Sequence, residues 1–197
     1  MAETAIILDL DGTVWDSRPW YAETIARLSG DSAVRVRREL EAGASVVRVA
    51  KARGVSKARL RQAAREDGET VALYEGVLPT LDCLRKRGTP VGVVTNLPGW
   101  LAGPLLESTG IKEYVPIVAT PRAGVPAKPR PHGIRQVLAG MGRETDSDTW
   151  FVGDTAVDAS AANAAAVRFA WAAFGYESER PAGTDKVLAR FSEIRDL

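Results

Sequence analysis

Ile6-Ile7-Leu8-Asp9-Leu10-Asp11-Gly12-Thr13 is an apolar run that stops at two carboxylates, separated by one residue, and a glycine. Ile6 to Leu8 show no alternation of apolar and polar positions, which predicts a parallel strand covered on both faces. Asp9 then falls at its carboxyl end, the place where open α/β sheets receive their ligands. Gly12 permits a sharp exit. An Asp-Gly pair taken alone is an ordinary turn. Asp9, however, precedes the turn and still belongs to the strand, where a carboxylate is costly unless donors or a cation receive it. Two carboxylates about 4 Å apart repel by about 4 kcal/mol at an effective dielectric of about 20. A bound cation relieves that repulsion.

Two further apolar runs end in the same manner. Val91-Gly92-Val93-Val94 is followed by Thr95-Asn96, and Trp150-Phe151-Val152 by Gly153-Asp154 with Asp158 one helical turn on. Between and beyond them strand and helix patterns alternate from residue 77. Val77, Leu81 and Leu84 share a helical face. A short helix runs through Trp100 and Leu105 with Pro104 limiting its regularity, and Val115 to Ala119, broken by Pro116, predicts an edge strand. Ile134, Val137, Leu138 and Met141 form the clearest amphipathic helix. Alanine-rich 156–166 predicts a helix packed closely on the sheet, 167–172 a fifth strand and 186–197 a closing helix. Strands separated by helices imply parallel pairing through right-handed crossovers, so the fold expected is α/β, a doubly wound (Rossmann-like) parallel sheet.

Residues 16–76 read differently. Ser17-Arg18-Pro19 opens a helix with Tyr21, Ile25 and Leu28 on one face and Gly30 as its stop. Three more helical patterns follow, the last capped by Ser56, and no strand pattern intervenes. The division expected is 1–15 with 77–197 as the core and 16–76 as an all-helical insertion.

At 197 residues, 45% hydrophobic and 26% charged, the chain is an ordinary globular one. A formal net charge of +1 argues against nucleic acid or a membrane surface as its partner. Cys83 is the only cysteine, which excludes an intramolecular disulfide or a thiolate metal cluster and reads as a buried packing residue. No leader is visible before the first strand and no run is long enough to cross a bilayer, which predicts a cytoplasmic protein, monomer or homodimer.

Asp9-Leu10-Asp11-Gly12-Thr13-Val14-Trp15-Asp16-Ser17 resembles the first motif of the haloacid dehalogenase-like superfamily. Thr95-Asn96 resembles the second, Lys128-Pro129 the third, and Gly153-Asp154 with Asp158 the fourth. Four motifs in order, three at the ends of apolar runs, make the resemblance specific and extend it over almost the whole chain. It implies a helical cap at 16–76 and an activity similar to that of phosphoglycolate phosphatases: magnesium-dependent hydrolysis of a small phosphorylated metabolite.

On that resemblance, Asp9 and Asp154 are the candidate magnesium ligands, with Asp11 contributing its backbone carbonyl. Asp9 is also the nucleophile that forms an aspartyl-phosphate, and Asp11 the acid that protonates the leaving alkoxide and the base that then activates water. Thr95, Asn96 and Lys128 contact the phosphoryl group. Taken singly, Thr95 is an ordinary strand end and Lys128, among Pro126, Pro129 and Pro131, an ordinary loop lysine. Asp158 holds a metal-bound water or orients Lys128, or is a helix N-terminal charge facing the macrodipole. His132 is expected on the surface, and Trp15 and Trp20 either line the cavity or pack the domain junction.

A dehalogenase and a phosphonate hydrolase are disfavoured, because the resemblance gives those branches no counterpart of Asp11. A phosphosugar mutase or phosphotransferase remains open, as does a non-catalytic phosphate-binding regulatory domain, though the latter has no need of both Asp9 and Asp11. Between Arg18 and Arg65 stand twelve lysines and arginines against Glu23, Asp31, Glu39 and Glu41. Most are expected on solvated faces, but one or two facing the site would favour a leaving group with a second anion.

Overall fold

The computed structural model describes residues 4–144 and 148–197, so the first three residues of the expected core lie outside it. In chain order the elements are β1 (Ala5–Leu8), β2 (Trp15–Asp16), α1 (Arg18–Ser29), α2 (Ala33–Glu41), α3 (Val46–Ala52), α4 (Lys57–Glu66), β3 (Ala72–Leu73), α5 (Val77–Lys86), β4 (Val91–Val94), α6 (Gly99–Ser108), β5 (Ile117–Ala119), α7 (His132–Gly140), β6 (Thr149–Gly153), α8 (Ala156–Ala165), β7 (Arg168–Ala172) and β8 (Lys186–Leu188). Six strands pair in the order β5-β4-β1-β6-β7-β8, all parallel. The fold is the α/β, Rossmann-like one expected from the sequence.

The unalternating apolar run has its physical reason in this sheet. Ile6 and Leu8 pack on one face with Leu81, Leu105 and Phe191, while Ile7 packs on the other with Ile134, Val137 and Ala162. Each such side chain, fully buried, contributes about 2 kcal/mol. Chain order runs outward from β1 through β4 to β5, then returns to β6 and runs the other way. The crevice beyond the carboxyl ends of β4, β1 and β6 is therefore a topological switch point. Ala159, Ala161, Ala162 and Ala165 are buried, so the small side chains of α8 do serve close helix-to-sheet packing. Ala166, which ends α8, lies in the left-handed region at φ 59°. A glycine there would relieve about 1 kcal/mol of strain.

Three expectations are corrected. The 16–76 stretch is not free of strands: β2 pairs antiparallel with β3, Trp15 opposite Leu73 and Asp16 opposite Ala72, so the two ends of the insertion are tied together. Two residues a side carry no periodicity to read. The closing segment is not one helix, because Lys186–Leu188 extends the sheet beside β7 and only Phe191–Asp196 turns, as a 3-10 helix. Cys83 is half-buried rather than buried. Elsewhere β5 is the edge strand expected, Ser56 caps α4 by accepting from the Arg59 amide, and His132 is exposed.

Among the described residues no helix is long and apolar enough to cross a membrane.

Candidate active site

Hydrogen bonding of the sheet continues one residue past the strands and so aims the expected side chains. The Asp9 amide donates to the Val152 carbonyl at 2.9 Å and the Thr95 amide to the Ala119 carbonyl at 3.1 Å. Asp9, Thr95 and Lys128, all buried, line a single cavity of about 320 Å³ at the switch point, together with Asp11, Asn96 and Asp158. The Leu97 amide donates to Thr95 Oγ1 at 3.1 Å, which leaves the hydroxyl proton free for a bound oxygen.

Lys128 is the electrostatic hub. Its Nζ donates to Asp9 Oδ1 at 2.5 Å and to Asp158 Oδ1 at 2.6 Å. Asn96 grips the same residue by its backbone: its Oδ1 accepts from the Lys128 amide at 2.8 Å and its Nδ2 donates to the Lys128 carbonyl at 3.2 Å. The Asn96 side chain, expected on the phosphoryl group, is thus engaged at both ends in fixing the Pro-rich loop. Asp158 combines two of the roles expected for it. Its Oδ2 accepts from the Thr155 amide (3.1 Å) and hydroxyl (2.6 Å), closing a capping box at the start of α8, while its other oxygen orients Lys128.

Asp154 is fully buried at the end of β6. Its Oδ2 accepts from the Tyr176 amide at 2.8 Å, whereas its Oδ1 has no partner among the described residues. A Cβ on Gly12, which sits at φ 86°, or on Gly175 would overlap this carboxylate, so the two glycines form its cradle. Carboxylate oxygens of Asp9, Asp154 and Asp158 lie within 4.8 Å of one another. Asp158 already receives Lys128 and Thr155, which leaves Asp9 and the orphaned Asp154 Oδ1 as the less engaged pair, a hard, oxygen-only set that suits magnesium.

Asp11 is built differently. Its Oδ1 accepts from Trp15 Nε1 at 2.7 Å, from the Ser17 hydroxyl and, more distantly, from the Tyr21 hydroxyl at 3.5 Å. All three donors fall on Oδ1, which leaves Oδ2 free to carry a proton. Trp15 is completely buried and acts through Asp11; Trp20 packs edge-on against Tyr21, and its indole donates to the Asp67 carbonyl. Neither lines the cavity.

Burial pushes the carboxyl pKa of Asp9 well up, against the pull of Lys128, with the charges of Asp158 and Asp154 adding to the rise. Burial also raises Asp11, opposed by the donors Ser17 and Trp15. Asp154 is pushed up to about 7 by burial and by the charge of Asp158. Burial works to lower Lys128, but Asp158 and Asp9 outweigh it and hold the ammonium above its ordinary value. The directions for Asp9 and Lys128 agree once the partners are counted: the lysine faces two acids, whereas Asp9 has one ammonium and two further acids. A second cation beside Asp9 and Asp154 would settle that imbalance.

Sequence reasoning missed Tyr176 and the positioning role of Ser17. Tyr176 lies in the loop after β7; its hydroxyl donates to Asp16 Oδ1 at 3.1 Å and accepts from the Ser17 amide at 3.1 Å. It ties the cradle of Asp154 to the entry of α1, with no periodic pattern to announce it.

A family model of haloacid dehalogenase-like hydrolases matches residues 3–166. The phosphoglycolate phosphatase of Pectobacterium atrosepticum is 32% identical, over 100% of this chain and 94% of its own. That of Pseudomonas putida is 30% identical, over 98% of this chain and 77% of its own. A solved structure of a haloacid dehalogenase-superfamily hydrolase, subfamily IA, from Geobacter sulfurreducens superposes with a TM-score of 0.70 at 25% identity, covering 99% of both chains.

Proposed function

The chain belongs to the haloacid dehalogenase-like hydrolases, as a phosphohydrolase, and from that premise we propose that it hydrolyses a small phosphate monoester with magnesium, through an aspartyl-phosphate on Asp9. The observation that carries this reading is the convergence of Thr95, Asp9 and Asp154 at the ends of three adjacent strands around Lys128. Magnesium would be held by Asp9, Asp154 and the Asp11 carbonyl, and would supply the charge that lets a carboxylate approach an anionic ester.

The chain's own groups do the rest. Lys128 has three donors, two of them used by Asp9 and Asp158, and its third is available to a phosphoryl oxygen. Thr95 donates its free hydroxyl proton to another. A carboxylate oxygen of Asp9 bonds to phosphorus as the ester P–O bond breaks, and Asp11, whose hold on a proton is strengthened by burial, gives its proton to the departing oxygen. Asp11, now a carboxylate, takes a proton from the water that attacks the phosphorus of the aspartyl-phosphate, and Asp9 is released. Trp15, Ser17 and Tyr21 hold Asp11 in place for both transfers. The insertion, 16–76, serves as the cap: Leu40, Ala44, Val46 and Val47 line the cavity opposite the core residues and keep bulk water from the intermediate.

The test is phosphate release from a panel of monoesters with and without magnesium, phosphoglycolate first because the relatives bear that name. Asp9→Asn is expected to lower turnover by about 10⁴-fold or more while the thermal unfolding transition persists. Substantial hydrolysis by a folded Asp9→Asn protein, or full activity after chelation, would refute the proposal.

A further inference from the structure

Of the twelve bases between Arg18 and Arg65, ten are exposed. Arg53 is held by Asp31 at 2.8 Å and Glu39 at 2.6 Å. Arg18 alone among them lines the cavity that contains Asp9. Its guanidinium carbon lies 3.6 Å from the centre of the Tyr176 ring, whose hydroxyl is fixed by Asp16 and Ser17 while the Tyr176 amide is fixed by Asp154. Among the described residues no ion pair engages it.

A guanidinium lying on an aromatic face keeps its N–H groups in its own plane, directed outward from the stack and suited to a two-point bond with a carboxylate or phosphate. The other cation in the cavity, Lys128, is already matched by Asp9 and Asp158. The rest of the helical wall presents Leu40, Ala44, Val46 and Val47 with the hydroxyls of Ser17, Tyr21 and Ser45, and none of these side chains is a cation. The cavity thus contains one cation for the phosphoryl group and a second, unmatched and braced, that the chemistry at phosphorus does not use.

We propose that Arg18, laid flat on Tyr176, is a specificity-determining residue that receives a second anion, carboxylate or phosphate, on the leaving group. The inference rests on the phosphatase reading above. It narrows the excess of positive charge in the insertion to one side chain.

The test compares phosphoglycolate, ethane-1,2-diol bisphosphate and ethyl phosphate, which share a two-carbon leaving group and differ in its far end, with p-nitrophenyl phosphate as the control. Wild-type kcat/KM is expected to favour at least one of the two doubly anionic esters over ethyl phosphate. Arg18→Met, which keeps the stem over Tyr176 and removes the charge, should shrink that preference roughly 10- to 100-fold, chiefly through KM. Arg18→Lys should recover part of it, a point charge replacing a fork. Whichever doubly anionic ester loses its advantage identifies the second anion as carboxylate or phosphate. A wild type that turns over p-nitrophenyl phosphate without preferring either doubly anionic ester overturns the role of Arg18 alone, as does an undiminished preference in Arg18→Met. No magnesium-dependent release from any ester overturns the phosphatase reading, and Arg18 with it.

Discussion

On the core wall of the cavity, at the ends of β4, β1 and β6, the charged groups are buried and engaged: Asp9 with Lys128, Lys128 with Asp158, Asp158 with Thr155, and Asp154 with Tyr176 through one oxygen. On the helical wall Leu40, Ala44, Val46 and Val47 stand beside three uncharged hydroxyls and a single cation, Arg18, and ten of the twelve bases between Arg18 and Arg65 are exposed. Chemistry is concentrated where the backbone is fixed by a sheet on both sides, so that a carboxylate can be held without relaxation. On the proposal above, selection of the leaving group falls to Arg18 on the helical wall. The same charge therefore has very different consequences on the two walls, which is open to experiment.

The largest effect is expected at Lys128. Replacing it with methionine leaves Asp9 and Asp158 buried within reach of each other without their cation, an uncompensated arrangement that costs about 3–5 kcal/mol. For a chain of this size that corresponds to a fall in Tm of roughly 6–20 °C, readable by calorimetry. A Tm within a degree or two of the wild type would show that the core wall is not the tense, charge-balanced structure described above.

A smaller effect, with a definite sign, is expected at Asp154. Its pKa in the folded chain is raised to about 7 from an ordinary 3.8, so the folded state holds its proton more tightly than the unfolded one. The stabilisation is complete below the ordinary carboxylate value, falls as pH rises and is gone once the pH passes about 7. Asp9 shifts in the same direction. Magnesium bound at the proposed site would compete with those protons, so the gap between melting curves recorded with magnesium and with chelator should widen from pH 5 to pH 8. An equal gap at both ends of that range would remove Asp154 from the metal ligands.

The contrast between the walls also explains what the sequence disclosed. Asp9, Thr95 and Asp154 were legible because a strand buried on both faces writes itself as an unbroken apolar run, and the residue that ends it is placed by the sheet. Lys128 sits in a Pro-rich loop with no such frame and was found only through its order among the motifs. Tyr176, Ser17 and the two-residue ribbon of β2 and β3 were not legible, since each works through long-range backbone contacts that no local spacing encodes. For Arg18 the obstacle was different. Twelve bases share the insertion, and which of them meets the cavity is decided by how α1 docks on the loop of Tyr176.

The smallest effects are expected at the remaining bases of the insertion, and their smallness is itself informative. Arg35, Arg38, Arg48, Arg59 and Arg61 are exposed. An exposed charge at the protein surface is screened by solvent, and its removal ordinarily changes stability by no more than about 0.5 kcal/mol. None of the five lines the cavity of Asp9. Single alanine substitutions there should therefore leave kcat/KM for phosphoglycolate, ethyl phosphate and p-nitrophenyl phosphate within about twofold of the wild type, each measured at low and at physiological ionic strength. Long-range attraction of an anionic ester is the one way these bases could act at a distance, and salt distinguishes it: it would appear as a loss for the doubly anionic esters at low ionic strength that fades as the Debye length shrinks to about 8 Å. A loss above twofold that survives physiological salt would mean that another base reaches the substrate when the insertion closes, and the division between a chemical wall and a nearly silent one would have to be redrawn around it.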